Sequence, residues 1–233
     1  MMIHNNKQIF GNKQIFGIIG LAVVALLGLA WWGLNDSANA DAQMADPGDG
    51  GGMAADTGSY YAGDIVEGAA DAPITIIEYA SMTCPHCANF HTSIYPELRA
   101  KYVETGKVRF IFREFPLDQL ALRAAMLARC GGAERVHGYL DVLFMQQGKW
   151  ATAQDPIAAL SRIARLGGMS EAAFQSCMAN EPLAEMVVAS RVKGSEEFDI
   201  TSTPSFVIGG KTYSGGLGVE EFDKILAPYL GEG

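Results

Sequence analysis

Positive charge is in short supply. Lysine and arginine number 17 against 26 aspartates and glutamates, a net charge of −9. Without residues 1–40 the balance is 15 to 25, or −10. A basic footprint for nucleic acid is therefore absent. An acidic balance fits a soluble exported domain without identifying its partner. Cysteine is scarce as well, with four in 233 residues. They include one Cys-x-x-Cys, Cys84 to Cys87, and no second. A closed zinc site needs four ligands, and chelating cysteines usually come as two such pairs. Strand patterning is missing between Asp118 and about Glu197. The chain is nonetheless long enough for one or two domains with a substantial core.

What is present begins with an apolar run. Residues 6–11 and 12–17 repeat Asn-Lys-Gln-Ile-Phe-Gly, but two copies do not make a repeat fold. Lys7 and Lys13 precede an uncharged stretch from Ile15 to Leu34. That is the layout of an export signal with its positive end inside. Ala38-Asn39-Ala40 supplies an Ala-x-Ala cleavage site. Against cleavage, the run is about 20 residues, enough to span a bilayer. Trp31 and Trp32 also stand at its outer end, where an aromatic belt would sit. Residues 1–34 thus read as a cytoplasmic tail with a signal peptide or a membrane anchor. Residues 35–59, typified by Asp46-Pro47-Gly48-Asp49-Gly50-Gly51-Gly52, read as a flexible acidic linker.

The chemistry centres on Thr83-Cys84-Pro85-His86-Cys87. An apolar run, Ile74 to Ala80, precedes it and predicts a strand buried on both faces. Phe90, Ile94, Leu98 and Tyr102 follow at helical spacing. The two cysteines therefore sit where a strand turns into a helix. Unpaired N–H groups and the positive end of the helix dipole meet there. A Cys84 thiolate is stabilised at such a place, which lowers its pKa and raises its reactivity. Pro85 suits the first helical position. Cys87 lies one turn on and can close a disulfide with Cys84. His86 between them can donate to the thiolate. Three readings compete: a structural cysteine pair, a metal site of Cys84, His86 and Cys87, and a redox disulfide. Local Cys-x-x-Cys bridges are rarely structural, and the second pair for a metal is missing, so the redox reading leads.

With Glu78 through Cys87 and the dipeptide Thr203-Pro204, the sequence resembles the DsbA family of thiol:disulfide oxidoreductases. The Cys-Pro-His-Cys sequence is that family's active-site motif, and the likeness runs from about Tyr60 to the C-terminus. The resemblance implies an α/β class, a thioredoxin fold with an inserted all-α helical domain. It implies that Glu78, six residues before Cys84, is the family's buried acid and proton acceptor for Cys87; a carboxylate at a solvated strand edge is the alternative. It also implies a cis bond before Pro204, with the Thr203 backbone facing Cys84 and pairing with an extended substrate. Thr203 stands where strong oxidases of the family commonly have valine, which keeps an isomerase or reductase open beside the oxidase. No cofactor is implied. The implied partners are exported proteins with free thiols and a membrane partner that restores the disulfide, in the periplasm or at the inner membrane.

Around the motif, Val108 to Arg113 reads as a second strand, so strand, helix and strand form a βαβ unit. Pro96 should kink the helix, and His91 reads as surface. Helices are expected over Leu120–Arg129, Glu134–Gln147, from Asp155-Pro156, from Ser170 and from Pro182. Gly209-Gly210 makes a hairpin turn, and Val219 to Leu230 a closing helix. Cys130 and Cys177 end two helices. Beside an export signal they read as a structural disulfide, worth about 3–4 kcal/mol in the loop-entropy model; two reduced thiols or a second redox pair are the alternatives. Met126, Met145, Met169, Met178 and Met186 read as core filler, and Trp150 as a loop residue capping the helices. The expected organisation is 60–117 and 198–233 as the two thioredoxin-like parts, with 118–197 inserted between them.

Overall fold

The structure is a computed structural model and describes residues 63–231. The expected signal or anchor and the linker lie outside the described residues. The chain opens with strands β1 (Ile65–Glu67) and β2 (Ile74–Ala80). Helix α1 (Pro85–Asn89) runs on through a π-wound segment, Phe90–Ile94, into α2 (Tyr95–Leu98) and a second π-wound segment, Arg99–Val103. Strand β3 (Val108–Glu114) follows. Then come α3 (Gln119–Cys130), α4 (Val136–Met145), α5 (Gln147–Trp150), α6 (Pro156–Leu166), α7 (Glu171–Met178) and α8 (Glu181–Phe198). The chain returns as β4 (Ser205–Ile208), β5 (Lys211–Ser214) and α9 (Val219–Leu230).

The five strands form one mixed sheet in the order β1-β3-β2-β4-β5. β2 pairs parallel with β3, and the other neighbours are antiparallel. β2 is central because its β-branched and aromatic side chains can be covered on both faces; all seven of its residues are buried. Alternation divides them. Ile74 and Ile76 join a cluster with Phe90, Leu98, Phe206 and Phe222. Ile77 and Tyr79 join another with Phe115, Ile200 and Val207. Glu78 therefore shares the face of Ile76, beneath the helix that carries the cysteines.

Pro96 cannot donate a backbone hydrogen bond, and the helix adjusts around it with wider turns. The Tyr95 N–H reaches back five residues to the Phe90 carbonyl. Asp118, Asp155, Ser170 and Asn180 cap α3, α6, α7 and α8, each accepting from a backbone N–H three residues on. Each cap stabilises its helix by about 1 kcal/mol. Gly209 and Gly210 take φ of 57° and 71° in the β4–β5 turn, a conformation that side chains with a Cβ resist. Met126 and Met169 are buried and Met178 is partly so, but Met145 and Met186 are exposed at 70% and 39%, a correction to the core reading of those two. Among the described residues no helix is long and apolar enough to cross a membrane.

Candidate active site

Cys84 is the residue that caps the start of α1. Its backbone is extended, and Pro85 occupies the first helical position. Its N–H bonds the Ser81 carbonyl, and its own carbonyl accepts from Ala88. The loop before it is tied to α3, since Thr83 Oγ1 donates to Asp118 Oδ2 at 2.7 Å. Gln147 holds it from the other side: Nε2 donates to the carbonyls of Met82 and Cys84, both at 2.9 Å. Cys84 and Cys87 are free thiols. Cys84 keeps 6% of its surface exposed and Cys87 none, so an incoming sulfur meets Cys84 first.

The two thiols are driven apart electronically. The Cys84 pKa falls from 9.0 to about 5, chiefly through a hydrogen bond from the Cys87 side chain. Burial opposes this; the Thr203 side chain and the backbone N–H groups of Cys87 and His86 support it. Cys87 moves the other way. Burial pushes its pKa far up, helped by its bond to Cys84 and by the negative charge of Glu78. One sulfur is thus an anion at neutral pH, while its partner stays protonated.

Thr203 and Pro204 close the site from β4. Their peptide bond is cis. As a thiol, Cys84 donates to the Thr203 carbonyl at 3.2 Å. The Thr203 hydroxyl is buried with no other hydrogen-bond partner among the described residues, so it is the donor at hand once Cys84 ionises. Six of the residues singled out in the sequence therefore meet in one place: Glu78, Cys84, Pro85, Cys87, Thr203 and Pro204. The His86 side chain is exposed; what it gives the thiolate is its backbone N–H. Cys130 and Cys177 are joined in a disulfide between α3 and α7. Among the described residues, no group of three or more His, Cys, Asp and Glu could hold a metal ion.

Three residues depart from the sequence reading. His91 is not at the surface: its side chain is 5% exposed, and Nε2 lies 2.8 Å from Glu78 Oε2. Its spacing four residues after Cys87 places both on one helix face, the one signal that could have found it. Gln147 is buried, and nothing in its local sequence marked it. Trp150 ends α5 rather than lying in a loop, with Nε1 donating to the Leu143 carbonyl.

The family profile described as Thioredoxin matches residues 61–227. The crystal structure of Wolbachia pipientis alpha-DsbA1 superposes with a TM-score of 0.69 at 30% identity, covering 74% of this chain and 94% of that one. The chain belongs to the thioredoxin family, as a DsbA-like member. BdbD from Bacillus subtilis shares the fold, with a TM-score of 0.63 at 20% identity, covering 72% of this chain and 93% of that one. A Rickettsia bellii relative named "Putative protein-disulfide oxidoreductase" is 34% identical over 150 residues, 63% of this chain and 57% of the relative. The chain spans just over half the length of that relative. For a DsbA-like protein the arrangement has a clear chemical capacity: a stabilised Cys84 thiolate is a good leaving group, and a protonated Cys87 has a carboxyl nearby to take its proton.

Proposed function

We propose that this protein is a thiol:disulfide oxidoreductase that introduces disulfides into exported proteins through Cys84 and Cys87. A substrate thiolate attacks Cys84 of the oxidised pair, and Cys87 departs and takes up a proton. A second substrate thiolate then attacks the substrate sulfur of the mixed disulfide. Cys84 leaves as a stabilised anion, and the substrate carries the new disulfide. Two electrons pass from substrate to enzyme, and a membrane redox partner takes them away again. Thr203 and Pro204 offer the substrate backbone an edge to pair with. Glu78 serves Cys87 as proton acceptor and donor.

The observation that carries this reading is the opposite displacement of the two thiols, with Cys84 at about 5. A stabilised thiolate favours the reduced enzyme and so makes its disulfide an oxidant; a reductase needs the reverse. The lysine-flanked apolar run and the Cys130–Cys177 bridge support a periplasmic setting. The test is oxidative refolding of a reduced, disulfide-containing substrate protein. Cys84→Ser should abolish turnover, and the Cys84–Cys87 potential should be more oxidising than that of glutathione. A more reducing potential would reassign the protein as a reductase.

A further inference from the structure

Disulfide exchange accounts for Glu78 but not for what stands behind it. Glu78 has no exposed surface, and its Oε1 has no hydrogen-bond partner among the described residues. Its Oε2 is held by His91 Nε2 at 2.8 Å. The imidazole stacks on Phe144 with centroids 4.1 Å apart and planes 9° from parallel, and meets Phe90 and Phe112 at steep angles. Three rings thus fix its orientation. The same imidazole lines a cavity of about 380 Å³, whose other polar walls include Glu67, Arg99, His137 and Asp141. Thr92, Asp141 and Met145 on its lining are exposed, so the cavity is open to water. A carboxyl with no exposed surface cannot trade protons with solvent by itself.

We propose that His91 is the proton relay between Glu78 and the water of this cavity. The inference rests on the reading of Cys84 and Cys87 as the exchanging pair. During reoxidation, Cys84 is bonded to a sulfur of the oxidant and Cys87 must attack it. The Cys87 S–H bond breaks and the proton passes to Glu78. As the Cys84–Cys87 bond forms, the oxidant's sulfur leaves with the electron pair. Glu78 then carries the Cys87 proton, and His91, whose Nε2–H stays bonded to Oε2, releases the proton on its Nδ1 to cavity water. In substrate oxidation the flow runs backwards, and cavity water resupplies the proton that Cys87 takes up. The titratable and charged groups around the relay are Glu78 on β2, Glu67 on β1, His137 and Asp141 on α4, and Tyr95 and Arg99 on its own helix.

The test separates two steps in the full-length protein. Reduced enzyme is mixed with oxidised glutathione and quenched with acid, and mass spectrometry follows first the Cys84–glutathione adduct, then closure to Cys84–Cys87. His91→Phe keeps a ring against Phe144 and removes both nitrogens; His91→Ala opens room beside the cavity. Circular dichroism confirms that each is folded. Adduct formation should keep its rate in both, while closure slows about a hundredfold or more, the usual scale for losing an acid–base group. Added imidazole should restore closure in His91→Ala and not in His91→Phe. Normal closure in a folded His91→Phe overturns the relay, as does slow closure in His91→Ala that imidazole leaves unchanged. If Glu78→Gln slows closure and the His91 variants do not, the exchange reading stands without the relay. If the unaltered protein forms no Cys84 adduct, both fall.

Discussion

Raising the pH from 4 to 8.5 should reveal the Cys84 anion in the reduction potential itself. With its pKa at about 5, Cys84 is almost wholly ionised at pH 7; a thiol at the ordinary 9.0 would be about 1% ionised. The stabilisation realised at pH 7 spans the two units from about 5 to 7. At ~1.36 kcal/mol per unit this is at most ~2.7 kcal/mol, since water at the rim of the site screens part of it. A lowered pKa stabilises the reduced form, so the disulfide becomes the stronger oxidant, by up to ~60 mV. The sign follows from linkage. Above 9 the stabilisation is complete, and it fades as the pH falls through about 5. Cys87, pushed up by burial, stays protonated throughout. Between pH 5.5 and 8 reduction therefore takes up one proton per two electrons, or ~30 mV per pH unit; below 5 it takes up two, or ~59 mV per unit. Equilibration with glutathione buffers, read by alkylation and mass spectrometry, gives the slope at each pH. A slope of ~59 mV per unit that persists through neutrality would refute the reasoning.

Three further outcomes are expected. Replacing Cys130 and Cys177 together by serine should lower stability by about 3–4 kcal/mol in chemical denaturation while leaving thiol exchange at Cys84 intact. Gln147→Leu strands the carbonyls of Met82 and Cys84 and should cost about 2 kcal/mol or more, read from the same transition. In Gly194→Ala the added carbon would stand 2.6 Å from the Tyr79 ring. Overpacking of about 1–3 kcal/mol then outweighs the ~1 kcal/mol gained in helix propensity, so a lower thermal midpoint is expected.

What could be read from the chain alone followed from local rules. Asp155-Pro156 and Ser170 start helices in any context, and a Gly-Gly pair between apolar runs turns back in any context. The Cys-Pro-His-Cys motif was expected at a strand-to-helix junction, and Cys84 does stand at the start of α1. What escaped depends on partners distant in sequence. β1 is three residues long and is a strand only because β3 lies beside it. His91 is enclosed because Phe144, 53 positions later, stacks on it. Met145 sits at the end of an apolar helix, yet points away from the core that its neighbour Phe144 enters. Gln147 looks like any polar residue until two stranded carbonyls come to meet it.

Cys84 and the Thr203 carbonyl it touches are 119 positions apart. On a ribosome or a translocon the first emerges long before the second. For that interval the sulfur has its helix but not the β4 wall, and a helix of five residues in water holds its dipoles weakly. The β4 part of the thiol's surroundings is thus complete only when about the last eighth of the chain is being made.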